Sequence, residues 1–195
     1  MLVRFPNTFR VIFDQRGLGD TFPEFMNKPW IDPESGKEYP PLALDDGSSI
    51  IHGARNILHS VKATQAMNEE MANAMMIACE QRSLSMPVSS RSIIGSDFVE
   101  FDDDGNEVSR RPLRMDERAI FIEADALQIE MGNLVRKANP SGSVSYEPAK
   151  TNQHKDRYSS LSMAVHYIKS LEDENKARLN REKTHRCIGI VERID

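Results

Sequence analysis

The stretch Arg10-Val11-Ile12-Phe13-Asp14-Gln15-Arg16-Gly17-Leu18-Gly19 constrains the fold more than any other. Val11, Ile12 and Phe13 are β-branched or aromatic, so they favour an extended chain buried on both faces, as in the middle of a parallel or mixed sheet. The run stops on a carboxylate, which puts Asp14 at the carboxyl end of that strand. Ligands of open α/β sheets gather at this edge, because the strands end there and the following loops leave a crevice. Gly17 and Gly19 let the backbone turn sharply straight afterwards. An aspartate so placed is either a turn cap or a functional carboxylate, and the rest of the chain has to decide between them.

Composition narrows the classes. A chain of 195 residues is long enough to bury one sizeable core. Its net charge of -5 excludes a wholly basic nucleic-acid coat, although a local basic cleft remains open. Cys79 and Cys187 are the two cysteines and neither belongs to a spaced cluster, which argues against a disulfide scaffold or a zinc ribbon. No run is apolar enough to span a membrane, and Arg4 and Pro6 interrupt the first residues where a signal-peptide core would lie. The expectation is a cytoplasmic protein with no membrane partner.

Downstream of Asp14, residues 20–25 have the pattern of a short helix that turns Phe22, Phe25 and Met26 to the core. Residues 29–41 hold Pro29, Pro33, Pro40 and Pro41 and are expected to form a loop, followed by a strand at Leu42-Ala43-Leu44. Gly36-Lys37 lacks both the earlier glycine and the following Ser or Thr of a phosphate-binding loop, so no nucleotide motor is expected. Residues 56–82 look helical, with Met67, Met71 and Met75 on one core-facing stripe and Asn68, Glu69 and Glu70 suited to the helix start. Asp97 to Phe101, a turn over residues 102–106, and Glu107 to Ser109 predict a hairpin. Its acidic turn imitates the start of a calcium loop, but Arg111 stands where such a loop needs a bidentate glutamate.

A second helix is predicted over residues 115–133, with Ile120, Ala124, Leu127, Met131 and Leu134 on its buried face. Residues 139–142 should end it and open a short strand over 143–146. A third helix is predicted to start near Asp156 and run to about Leu179, burying Tyr158, Leu161, Val165, Ile168 and Leu171. Asp156 suits an N-cap there, a role worth about 1 kcal/mol. Capping does not account for His154, Lys155, Asp156 and Arg157 standing together ahead of an apolar helix face. Should this helix pack beside Asp14, the two carboxylates can share a divalent cation, and such hard oxygen ligands suit magnesium or manganese.

Two motifs carry a resemblance. Ile12-Phe13-Asp14-Gln15-Arg16-Gly17-Leu18-Gly19 and His154-Lys155-Asp156-Arg157-Tyr158-Ser159-Ser160-Leu161 resemble the second and third acidic motifs of the nuclease domain of bacteriophage terminase large subunits. The order between them also fits: a proline-bearing aromatic segment, a methionine-rich helix, a glutamate-rich helix, a small β segment and the Asp-Arg helix. The resemblance implies an α/β fold with a ribonuclease H-like mixed sheet flanked by helices, incomplete at its N-terminal strands. Residues 1–179 would form this partial domain and residues 180–195 a tail. It also implies two Mg2+ or Mn2+ ions that serve cleavage of double-stranded DNA during genome packaging in the host cytoplasm. Asp14 and Asp156 carry over as metal ligands, and His154 as a ligand or general acid. Arg16, Lys155 and Arg157 are the expected contacts to flanking phosphates.

The family's first catalytic aspartate lies on a strand that precedes the one matching Val11 to Asp14. That residue and the packaging ATPase have no counterpart in this sequence. The implied partners are therefore double-stranded DNA, the ATPase portion, the small terminase subunit and the portal. Two other readings remain open at this point. One is a non-catalytic remnant that docks to the packaging complex through a bare sheet edge. The other is a different ribonuclease H-like enzyme, such as an integrase or resolvase.

Overall fold

A computed structural model describes residues 7–188 except 20, 49, 139–141 and 143, with the side chains of 17, 18 and 180–188 also outside the description. The class is α/β. The chain divides into two compact units: unit 1 comprises Met1–Ala74 and Ser162–Asp195, and unit 2 comprises Met75–Leu161.

Unit 1 is built on three parallel strands. Strand β1 is Val11–Asp14, β4 is Leu42–Leu44 and β5 is Arg55–Val61, in the spatial order β1-β5-β4. Phe13, Leu42, Ile57 and Leu58 form the buried cluster, and Leu58 is wholly enclosed. Helix α1 (Gln15–Leu18) turns the chain after β1, and α2 (Thr21–Met26) follows. The Phe22 ring lies 5.0 Å from that of Phe13, while Phe25 is 76% exposed and so does not join the core as expected. Asp20 lies outside the described residues. Strand β1 is at the edge of this sheet, with no described strand on its other side.

The proline-rich stretch is more ordered than its composition suggests. Strands β2 (Trp30–Ile31) and β3 (Glu38–Tyr39) pair antiparallel, with the Trp30 and Tyr39 rings 5.5 Å apart. Pro29 and Pro40 lie just outside the strands and Pro33 in the turn between them, where the missing N–H costs no ladder bond. Asp32 closes the turn by accepting the backbone N–H of Glu34 and Ser35 and the Ser35 hydroxyl. Gly36 takes the left-handed backbone (φ 67°) that the turn requires.

The expected long helix over 56–82 divides in two. Its first part is strand β5, central in the sheet, where Asn56-Ile57-Leu58 meets β4 on one side and Leu58-His59-Ser60-Val61 meets β1 on the other. Helix α3 is Gln65–Glu80, and its start is capped by the Thr64 hydroxyl accepting from Met67 N–H at 3.2 Å rather than by Asn68. Met71 and Met75 of the expected stripe are buried, with Ala72 and Ala74 beside them, while Met67 is only half-buried.

In unit 2, β6 (Asp97–Phe101) and β7 (Glu107–Pro112) make the predicted hairpin. Asp102 Oδ1 accepts the N–H groups of Asp104 and Asn106 at 3.0 and 2.7 Å, so this carboxylate is committed to the turn. Helix α4 (Met115–Gly132) follows, then a second hairpin of β8 (Leu134–Ala138) and β9 (Val144–Pro148). The helix thus ends at Gly132, Leu134 belongs to a strand, and Ile120 is 61% exposed instead of buried. The predicted break over residues 139–142 falls mostly outside the described residues. Helix α5, Asp156–Ile188, crosses from unit 2 into unit 1 and continues beyond the predicted end near Leu179. Ile168, expected in its buried face, is 52% exposed. None of the described helices is long and apolar enough to cross a membrane.

Candidate functional site

Asp14 ends β1 as the sequence predicts, and it is half-buried. Its Oδ1 accepts the Arg16 backbone N–H at 2.9 Å, so the turn-cap role is real. Gly19 completes the turn with φ 59°, donating its N–H to the Gln15 carbonyl at 2.7 Å. The Arg16 side chain is exposed.

The same sheet carries a polar cluster that sequence reasoning misses. Asp45 follows β4 directly and accepts from His59 Nδ1 at 2.8 Å, with Arg10 Nη1 at 3.4 Å. Arg10 Nε donates to the Tyr167 hydroxyl at 2.7 Å, and the His59 and Tyr167 rings lie 4.8 Å apart. A signal for it exists, because Leu42-Ala43-Leu44-Asp45 repeats the pattern of an apolar run that stops on aspartate. Parallel register pairs Ile12 with His59 and Asp14 with Val61. Side chains two apart on a strand share a face, so Asp14 and His59 lie on the same side of the sheet. Bonding through Nδ1 to Asp45 leaves Nε2 as the nitrogen able to act on other groups.

The second expected motif belongs to unit 2. Asp156 is the first residue of α5, but the helix start is capped from elsewhere. Glu130 of α4, almost fully buried, accepts the backbone N–H of Arg157 at 3.0 Å and of Tyr158 at 3.1 Å through Oε2. Its Oε1 takes Arg157 Nη1 at 2.8 Å. Burial pushes the Glu130 carboxyl up, but the Arg157 side chain and the two N–H groups outweigh it and hold the pKa below its ordinary value. Arg157 also gives Nε to Glu123 at 2.7 Å, and Glu123 with Glu130 keeps its guanidinium charged. Lys155 Nζ reaches Glu147 at 2.8 Å and the Tyr146 carbonyl at 3.0 Å. His154 is exposed in the loop before the helix.

An open cleft of about 420 Å³ surrounds this helix start. Glu123, Asp156, Arg157 and Ser160 line it, with Ala124 and Leu127 as its floor. The structure therefore brings Asp156 and Arg157 together with Glu123, and it leaves Asp14 and Arg16 in unit 1. Hard oxygen donors of this kind match Mg2+ or Mn2+ in chemistry. Among the described residues, however, no three His, Cys, Asp or Glu side chains approach closely enough to hold a metal ion. The donor type fits, the described residues do not assemble three donors at one point, and no hydrolytic step is assigned to an ion here.

No family model matches the chain, and no curated protein or solved structure matches it either.

Proposed function

We propose that the chain is the carboxyl-terminal nuclease portion of a bacteriophage DNA-packaging terminase large subunit, contributing Asp14 and Asp156 to cleavage of double-stranded DNA. The observation that carries this reading is the placement of Asp14 at the carboxyl end of a parallel strand, followed at once by a tight turn. The order of the two acidic motifs and the segments between them supports it from the sequence. In this reading the domain is ribonuclease H-like. A strand bearing the first acidic residue pairs with the edge of β1 that no described strand covers, completing the set of carboxylates.

Bound Mg2+ or Mn2+ would supply an activated water and charge neutralisation at the leaving oxygen. The chain's own part is to present the carboxylate oxygens and to hold the DNA backbone. Arg16, exposed beside Asp14, has no ion pair with a carboxylate among the described residues, whereas Lys155 and Arg157 would each have to give one up to meet a phosphate. Those two ion pairs favour a second reading, a non-catalytic subunit of the packaging complex in which the Asp156 region is a structural junction.

Nicking of supercoiled plasmid in manganese separates the two. The chain alone should nick weakly or not at all, and nicking should appear when a segment carrying the first acidic residue is joined upstream. In that longer chain Asp14→Asn or Asp156→Asn should abolish nicking while circular dichroism stays unchanged, since Asn keeps the shape and, at Asp14, the turn bond. Nicking that survives both substitutions would show that the carboxylates serve structure only.

A further inference from the structure

Unit 1 holds a cleft of about 220 Å³ between α2 and the β2–β3 hairpin. Phe25, Trp30 and Tyr39 line it, Met26 and Leu42 close its base, and Lys28 is its one charged lining residue among those described. We propose that this cleft takes one unpaired base of a DNA strand, stacked on the aromatic wall, with the neighbouring phosphate held by Lys28 and Lys37.

The exposure of the aromatics is the first support. Phe25 is 76% exposed and Trp30 49%, although either could bury well over roughly 100 Å² in a core. Rigidity is the second. Pro29 and Pro40 flank the hairpin and the Asp32 carboxylate fastens its turn, so the wall stands ready without an ordering cost. Charge is the third. Among the described residues no carboxylate lines the cleft, Lys28 stands at it, and Lys37 Nζ lies 5.2 Å from the centre of the Tyr39 ring.

A ligand that matches this surface joins a flat apolar ring to an anion, which is the chemistry of a nucleotide. The volume is below the roughly 300–1,000 Å³ of sites for drug-sized ligands, so it suits a single ring system. That the nucleotide belongs to a DNA strand rests on the nuclease reading above.

Trp30 is the chain's only tryptophan, so the site carries its own reporter. The full chain is titrated with single-stranded octathymidylate, with a duplex of equal length and with a proline-rich decapeptide, following tryptophan fluorescence. Saturable quenching by the single strand, exceeding that by the duplex, is expected. Tyr39→Ala should weaken it roughly 5- to 150-fold, the range for losing one stacked base. Lys28→Gln with Lys37→Gln should lower the salt dependence of log Kd by about 0.7 for each phosphate that is no longer held. Both lysines are exposed, so this variant keeps the fold. Equal quenching by duplex, quenching by the peptide alone, or an unchanged salt slope in the lysine variant would overturn the proposal. Quenching by this chain, with no nicking by the longer chain that carries the first acidic residue, would retain the cleft and remove the nuclease reading, and nicking by that longer chain without quenching would do the reverse.

Discussion

Glu130 illustrates what a single residue can hide in sequence. A glutamate late in a helix reads as a solvated charge, yet this one caps the start of α5 and fixes Arg157, a residue 27 positions later. Asp156 looks like the cap because capping is usually local, and the Asp14 turn is legible for the same reason: its partner is two residues away. Glu130→Gln keeps the size but loses the charge-assisted bonds, so it should cost about 1–3 kcal/mol in urea unfolding. A change below a few tenths would mean that solvent replaces those bonds. Asp156→Asn should leave stability nearly unchanged, because the N–H groups at this helix start already have Glu130 as their acceptor.

Between elements, the join from β7 to α4 rests on Glu117. Arg111 grips it with two nitrogens at 2.8 and 2.7 Å, and the Arg114 N–H donates to it at 2.8 Å. The bonds from Arg111, followed by that N–H, hold its pKa down to about 2. A depressed carboxyl stabilises the fold at pH above the unfolded value of about 4.3, and the benefit disappears as pH falls towards 2. Glu117→Gln should therefore lower stability at pH of about 6 and remove part of its decline between about pH 4.5 and 2. Parallel wild-type and variant curves of urea midpoint against pH would refute this.

The elements themselves are legible in proportion to how local their causes are. The β6–β7 hairpin is readable because its turn and both strands are contiguous. Strand β5 is not, since Ile57 and Leu58 are held extended by β1 and β4 from distant parts of the chain, and their spacing with later apolar residues imitates a helix. The β2–β3 hairpin is masked by prolines that bracket it. For the site, Asp14 is visible as a broken apolar run, whereas the Asp45 and His59 pair exists only once β4 lies beside β5.

At the scale of the molecule, each unit has its own buried residues. Leu58 in unit 1 is completely enclosed, so Leu58→Ala should cost about 2–5 kcal/mol. Amide exchange should accelerate in β1, β4 and β5 well before it does in β8 and β9. Uniform acceleration through both hairpins of unit 2 would mean that the units unfold as one.

The bond from Arg10 to Tyr167 joins residues 157 positions apart. Unit 1 is discontinuous, and all of unit 2 is inserted between its two parts. On the ribosome, domains usually mature from the amino terminus onward. Here the order is reversed: the inserted unit is fully synthesised first, while Arg10, next to β1, has to wait for Tyr167 to emerge before their bond can close. Early termination of translation after residue 161 would thus leave a finished unit 2 attached to an unfinished sheet, making unit 1 the part of the nascent chain most dependent on protection from aggregation.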